Sequence, residues 1–79
     1  MKRADIIAAI EAERDRQDQM WGTSFPGRPL ERWVTILTEE VGEVAKAVLD
    51  ENMDDWRREL VQVAAVAVKI LEYTGGDGE

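Results

Sequence analysis

The sequence contains no cysteine and no histidine. The first absence excludes a disulfide framework, one of the usual supports of small scaffolds. The two together remove the ordinary ligands of zinc. They also remove the Glu-x-x-His elements of a ferritin-like di-iron bundle. Proline occurs only at positions 26 and 29, so helix breakers are confined to one short stretch. No apolar run is long enough to cross a bilayer. Ile6 to Ile10 is too short for a signal peptide and is ended by Glu11. A soluble cytoplasmic protein without a membrane partner is the expectation. Positive charge is scarce: the net charge of −7 argues against a protein that grips a nucleic acid polymer electrostatically. Phosphate-bearing small molecules stay open, because a divalent cation inverts the local charge of an acidic site.

With 79 residues the chain is a single domain, 1–79, and a domain this small is marginal alone. Three helices account for most of it. The first runs from about Ala4 to Trp21, with Ile6, Ile7 and Ile10 as a narrow apolar face and Gly22 as its C-terminal stop. A loop over 22–29 follows, punctuated by Pro26-Gly27 and Pro29. The second helix runs from about Leu30 to Asp50. Asn52, with Asp55 three residues on, gives a capping-box-like start to a third helix over about Met53 to Tyr73. Gly75-Gly76 close it, and 74–79 form a tail. From Leu60 to Leu71 only Gln62 and Lys69 are polar. A helix apolar all round needs cover on all sides, more than two partner helices supply. The fold class is therefore all-α, a three-helix protomer assembling into an oligomeric bundle, as a homodimer or homotetramer.

At about 100° per residue, the second helix aligns Trp33, Ile36, Leu37, Val44, Ala47 and Val48 in one stripe. Glu40 falls within the stripe, Glu43 at its edge, and Glu39 further round toward solvent. The third helix aligns Trp56, Val63, Val66 and Ile70, with Glu59 near the middle and Gln62 at the rim. A carboxylate in an apolar seam must be protonated, paired or metal-bound. Lys46 projects away from Glu40, and Lys69 is about three turns from Glu59. A hard cation, Mg²⁺ or Mn²⁺, suits carboxylate and amide oxygens. Residues three apart share a helix side, so Glu40 with Glu43 and Glu59 with Gln62 form facing pincers. The plainer alternative is that these acids are rim residues snorkelling to water.

Thr38-Glu39-Glu40-Val41-Gly42-Glu43-Val44, followed by Glu59-Leu60-Val61-Gln62, resembles the MazG-like all-α nucleotide pyrophosphohydrolases. That family carries E-E-x-x-E on one helix and E-x-x-D on the next. Gln17 to Gly22 is similar to the end of the first helix in its short members. The likeness extends over about residues 5–73. It implies metal ligands at Glu40, Glu43, Glu59 and Gln62, with Glu39 in a supporting catalytic role beside a bound water. It also implies Mg²⁺-dependent cleavage of a nucleoside triphosphate between its α- and β-phosphates, giving a monophosphate and pyrophosphate. Gln62 departs from the family's Asp: an amide oxygen still ligates a hard cation but brings no charge.

Trp21, Trp33 and Trp56 offer aromatic faces for a base, although aromatics at helical spacing are also the usual core anchors. Trp21, beside the loop, is the best placed for a nucleotide. Lys46, Lys69, Arg14 and Arg28 are phosphate contacts or, by default, solvated charges. Gly42 allows close helix approach or is simply tolerated. Two rivals to the hydrolase remain. One is a catalytically weak or inactive nucleotide- or metal-binding oligomer; the other is a purely structural helical oligomer with protonated or water-bridged acids.

Overall fold

A computed structural model of the chain describes residues 1–22 and 30–74, save the side chains of Tyr73 and Thr74. The expected loop with Pro26-Gly27, Arg28 and Pro29, and the tail over 75–79, lie outside the described residues. Helix α1 spans Arg3–Trp21, α2 Leu30–Leu49 and α3 Met53–Thr74. Among the described residues there is no strand. No helix is long and apolar enough to cross a membrane.

The chain stops and restarts its helices where local chemistry dictates. Gly22 ends α1 at φ +86°, a value that L side chains rarely adopt, and its N–H donates to the Asp18 carbonyl at 2.8 Å. At the end of α2, Glu51 takes φ +57°. Its N–H donates to the Val48 carbonyl and that of Asn52 to the Ala47 carbonyl, both at 3.0 Å. This is the paired closure of a Schellman motif, with a glutamate where glycine is usual. Asn52 then caps α3: its Oδ1 accepts from the Asp55 N–H at 3.2 Å and its Nδ2 donates to Asp55 Oδ2 at 2.9 Å. Reversal within three residues makes α2 and α3 an antiparallel hairpin.

Helix α3 is the shared element, packing against both α2 and α1. Its seam with α2 is largely apolar. Trp33 and Ala47 of α2 are buried there, as is Val66 of α3. Val48, expected in the same stripe, is 51% exposed; it lies a full 100° step past Ala47 and turns out of the seam. The seam with α1 is polar. Arg14 Nε donates to Glu72 Oε1 at 3.1 Å, and the Arg14 Nη1 lies 3.0 Å from Asp18. Lys69 Nζ reaches Asp18 Oδ1 and the Gly22 carbonyl, both at 3.3 Å, and sits 5.4 Å from the Trp33 ring centroid.

Two expectations are corrected here. Arg14 and Lys69 are not solvated cations waiting for phosphate: Arg14 is buried and Lys69 has no exposed surface. Their charges hold α1 on α3. A long aliphatic stem buried among apolar neighbours with its ammonium on fixed oxygens explains how a lysine fits there.

Two variants test this account. Glu51→Gly should raise stability by about 1 kcal/mol, because the positive φ no longer crowds a Cβ. That corresponds to a thermal midpoint roughly 4–8 °C higher, and an unchanged or lower midpoint would contradict the strained closure. Lys69→Ala should cost roughly 2–3 kcal/mol by urea unfolding, below the range for a fully buried broken pair because Asp18 keeps some solvent. A loss under about 0.5 kcal/mol, the size of a surface substitution, would show that the contact contributes little.

Candidate functional site

The acids expected to meet do so in part. Helix α2 presents Glu40 and α3 presents Glu59 and Gln62, all three half-buried along the shared seam. With its amide nitrogen turned inward, Gln62 donates to Glu40 Oε2 at 3.1 Å and to Glu59 Oε2 at 3.0 Å. One neutral amide thus bridges two carboxylates from facing helices. It supplies both of its N–H donors and no charge.

That bridge does not remove the electrostatic cost. The Glu40 carboxyl is held above the ordinary glutamate range. Burial contributes most, followed by the nearby charges of Glu59, Glu43 and Glu13, with Arg16 opposing. Desolvation and like charge both disfavour the ionised form, so this seam favours anything that brings positive charge.

Helix α1 adds a member that the sequence reading missed. Glu13 accepts from Arg16 Nε at 2.9 Å and Nη2 at 2.6 Å, and from Gln17 Nε2 at 3.2 Å. The bond from Arg16 is the chief reason its carboxyl lies below its ordinary value, against the upward push of burial. The only sequence signal was the i, i+3, i+4 grouping of Glu13, Arg16 and Gln17, which reads equally well as a solvated face. Gln17 is 1% exposed, and its Oε1 is buried without a hydrogen-bond partner among the described residues.

Glu43 is exposed and lies at the rim. It lines a small cleft of about 60 Å³ with Glu59, Lys46, Asp50 and Asp55. Lys46, expected near substrate, is exposed and donates to Asp50 at 3.1 Å on the wall of this cleft. Glu39 does not join the group. It is exposed and borders an outward groove with Glu31, Arg32 and Thr35, a quarter-turn from Glu40. Trp21 is 36% exposed and packs edge-to-face on Trp33, centroids 5.6 Å apart. It shares that corner with Lys69, two turns along α1 from Glu13.

Whether these residues suit a divalent cation is a question of spacing and donor type. Adjacent oxygens in an Mg²⁺ octahedron are about 2.9 Å apart. The Gln62 amide terminus lies within 3.0 and 3.1 Å of the two carboxylate oxygens. A half-turn of the amide puts Oε1 where Nε2 stands. Two carboxylates and an amide oxygen are hard donors of the right kind. Among the described residues no group of three acidic side chains converges closely enough to hold a metal. The fit therefore rests on the mixed set, not on the four-ligand pincer with Glu43.

The raised Glu40 carboxyl has a pH consequence. The folded chain binds this proton more tightly than the unfolded chain, so stability from Glu40 is fullest below the ordinary glutamate pKa of about 4.3. It declines as pH rises from there through the folded value. Glu40→Gln should therefore raise the urea midpoint at pH 7 and leave it nearly unchanged near pH 3.5. A variant equally destabilised at both values would show that the carboxylate is not under strain.

No family model, curated protein or solved structure matches this chain.

Proposed function

We propose that the chain is a divalent-cation-dependent nucleoside triphosphate pyrophosphohydrolase, cleaving between the α- and β-phosphates to release a nucleoside monophosphate and pyrophosphate. The observation that carries this reading is the Glu40–Gln62–Glu59 bridge. Two like-charged groups from facing helices are held within reach of one amide, in a seam that pushes the Glu40 carboxyl upward. The likeness of Glu39-Glu40-Val41-Gly42-Glu43 and Glu59-Leu60-Val61-Gln62 to the MazG-like motif supplies the reaction class.

When bound, Mg²⁺ or Mn²⁺ supplies neutralising charge and Lewis acidity for phosphate oxygens. Glu40, Glu59 and, with its amide oxygen turned inward, Gln62 would hold it. In the reaction a water oxygen bonds to the α-phosphorus while the bond to the α,β-bridging oxygen breaks. The bridging oxygen leaves with pyrophosphate, and a carboxylate accepts the water's proton. Glu43 suits that last role better than Glu39. Its charge is felt at Glu40 and it shares a cleft with Glu59, whereas Glu39 borders the outward groove. Self-association as a dimer or tetramer and a cytoplasmic setting belong to the same reading.

The neutral Gln62 specifically favours a second reading, a nucleotide- or metal-binding oligomer with little turnover. Without a third charge the site holds a cation more weakly, and catalysis falls with occupancy. A pyrophosphate-release assay over the common nucleoside triphosphates, with and without Mg²⁺, separates the two. Mg²⁺-dependent release abolished by Glu40→Ala and Glu59→Ala is expected. Nucleotide binding without release would establish the second reading instead.

Gln62→Asp gives a sharper test. Without metal it places three carboxylates together and should lower the thermal midpoint at pH 7. With Mg²⁺ the midpoint should recover by more than the wild type gains, because stabilisation by a ligand increases with its affinity for the folded state. Equal Mg²⁺ shifts in both proteins would remove Gln62 from the site.

A further inference from the structure

Charge holds α1 on α3 only in the C-terminal half of α1, where Arg14 meets Glu72 and Asp18 meets Lys69. In the N-terminal half, Ile6 and Ile10 line a groove of about 340 Å³ together with Leu60, Val61 and Ala64 of α3. Residues later in α1 meet residues later in α3, so the two helices run parallel and start at the same end. There the groove is bounded by Met1, Trp56 and Arg57. The Arg57 guanidinium sits over the Trp56 ring, 5.7 Å from its centroid. Ile6 and Leu60 are exposed, so the walls are apolar yet open to water. From Trp56 to Ala64 the groove runs about 12 Å along α3.

We propose that this groove binds a small anionic amphiphile, a medium-chain acyl carboxylate, with its chain between α1 and α3 and its carboxylate on Arg57. The site lies outside the hydrolase reading and does not depend on it. Charge selects the head group. The chain carries a net charge of −7, yet no acidic side chain lines the groove. Arg14, Arg16, Lys46, Arg58 and Lys69 each pair with a carboxylate. Among the described residues Lys2, Arg3 and Arg57 form no ion pair. All three lie at this end, Lys2 and Arg3 directly after Met1. Asp5 and Asp54 belong to the same first turns but not to the groove walls. A guanidinium seated on a tryptophan face is steadied by the ring, and its planar fork matches a carboxylate with two parallel N–H donors. Shape selects the body. Aliphatic walls suit a saturated chain, and a narrow trough between parallel helices suits a linear one. The volume falls at the lower end of small-molecule sites. At about 30 Å³ for a group the size of a water, it admits on the order of eleven heavy atoms, and octanoate has ten. A partner helix, about 10 Å across with its side chains, does not enter a trough of that volume.

Calorimetric titration of the full chain with sodium octanoate tests the proposal. Saturable one-to-one binding is expected, with a dissociation constant on the order of 0.1–1 mM for a ligand this small. Octanol and octylammonium should bind at least about tenfold more weakly, since neither offers an anion to Arg57. Arg57→Glu should weaken octanoate by about tenfold or more and reverse its preference over octylammonium. Ala64→Leu narrows the trough and should weaken octanoate by a similar factor with Arg57 still in place. Helical circular dichroism checks that both variants fold. Should Ala64→Leu unfold, Ile6→Asp carries the same test from the exposed start of α1. Absence of saturable octanoate binding would overturn the proposal, as would folded variants that bind octanoate like the wild type. Anionic phosphatidylglycerol vesicles bound in place of octanoate, or a second copy covering the trough in sedimentation, would assign another occupant and overturn it equally. Because octanoate binding is read directly, its failure is distinguishable from loss of pyrophosphate release.

Discussion

Two glutamates of like charge face each other across the α2–α3 seam, and the packing of that seam is what keeps them there. Trp33, Ala47 and Val66 are buried in it, and truncating a buried tryptophan alone costs roughly 3–5 kcal/mol. Separation of Glu40 from Glu59 would have to open that contact. The Gln62 amide satisfies two carboxylate oxygens at once, yet it leaves the Glu40 carboxyl raised. The seam is thus a device in which apolar burial holds polar groups in an arrangement they would not choose. Burial and the neighbouring carboxylates keep the Glu40 carboxyl above its ordinary range, a condition that positive charge in the seam would relieve.

The contact of α1 with α3 is built on different physics. Helix α1 has almost no apolar face beyond Ile10, and its buried residues are Arg14 and Gln17. What docks it is an alternating set of charges, Arg14 with Glu72 and Asp18 with Lys69. Such pairs repay little more than their desolvation, but mispairing them leaves an uncompensated charge. They therefore fix where α1 sits along α3 more than how tightly it binds. That register matters, because it sets Glu13 close enough for its charge to be felt at Glu40. It also puts Trp21 on Trp33.

The three helices, the stop at Gly22 and the Asn52–Asp55 cap were legible in the sequence because each depends on residues close in the chain. The meeting of Glu40, Glu59 and Gln62 was legible for a related reason: helical period alone turns all three toward one seam. Lys69 and Arg14 were misread because burial of a cation depends on which acid another helix brings, and periodicity carries no such information. Val48 was misplaced by a neighbour's 100°, where a stripe that is broad in projection splits into an inner and an outer edge. Glu13 was overlooked since an i, i+3, i+4 charge group looks the same whether it faces water or a third helix.

That split stripe has a structural meaning. Residues one position apart on α2 alternate between two tasks: Glu40 enters the seam while Val41 turns outward, and Ala47 packs inward while Val48 does not. Because α3 runs the other way, its own outward residues gather on the same flank, and Gln62 and Glu13 gather on the other. Polar groups and bare apolar surface are therefore sorted to opposite sides of one hairpin. Cover on the apolar side would stiffen the two helices that carry Glu40 and Glu59 without obstructing the side where those carboxylates meet water. In this 79-residue chain, Glu13 of α1 joins Glu40 on the acid flank, while Val34, Val41, Val48 and Leu71 stay exposed on the other.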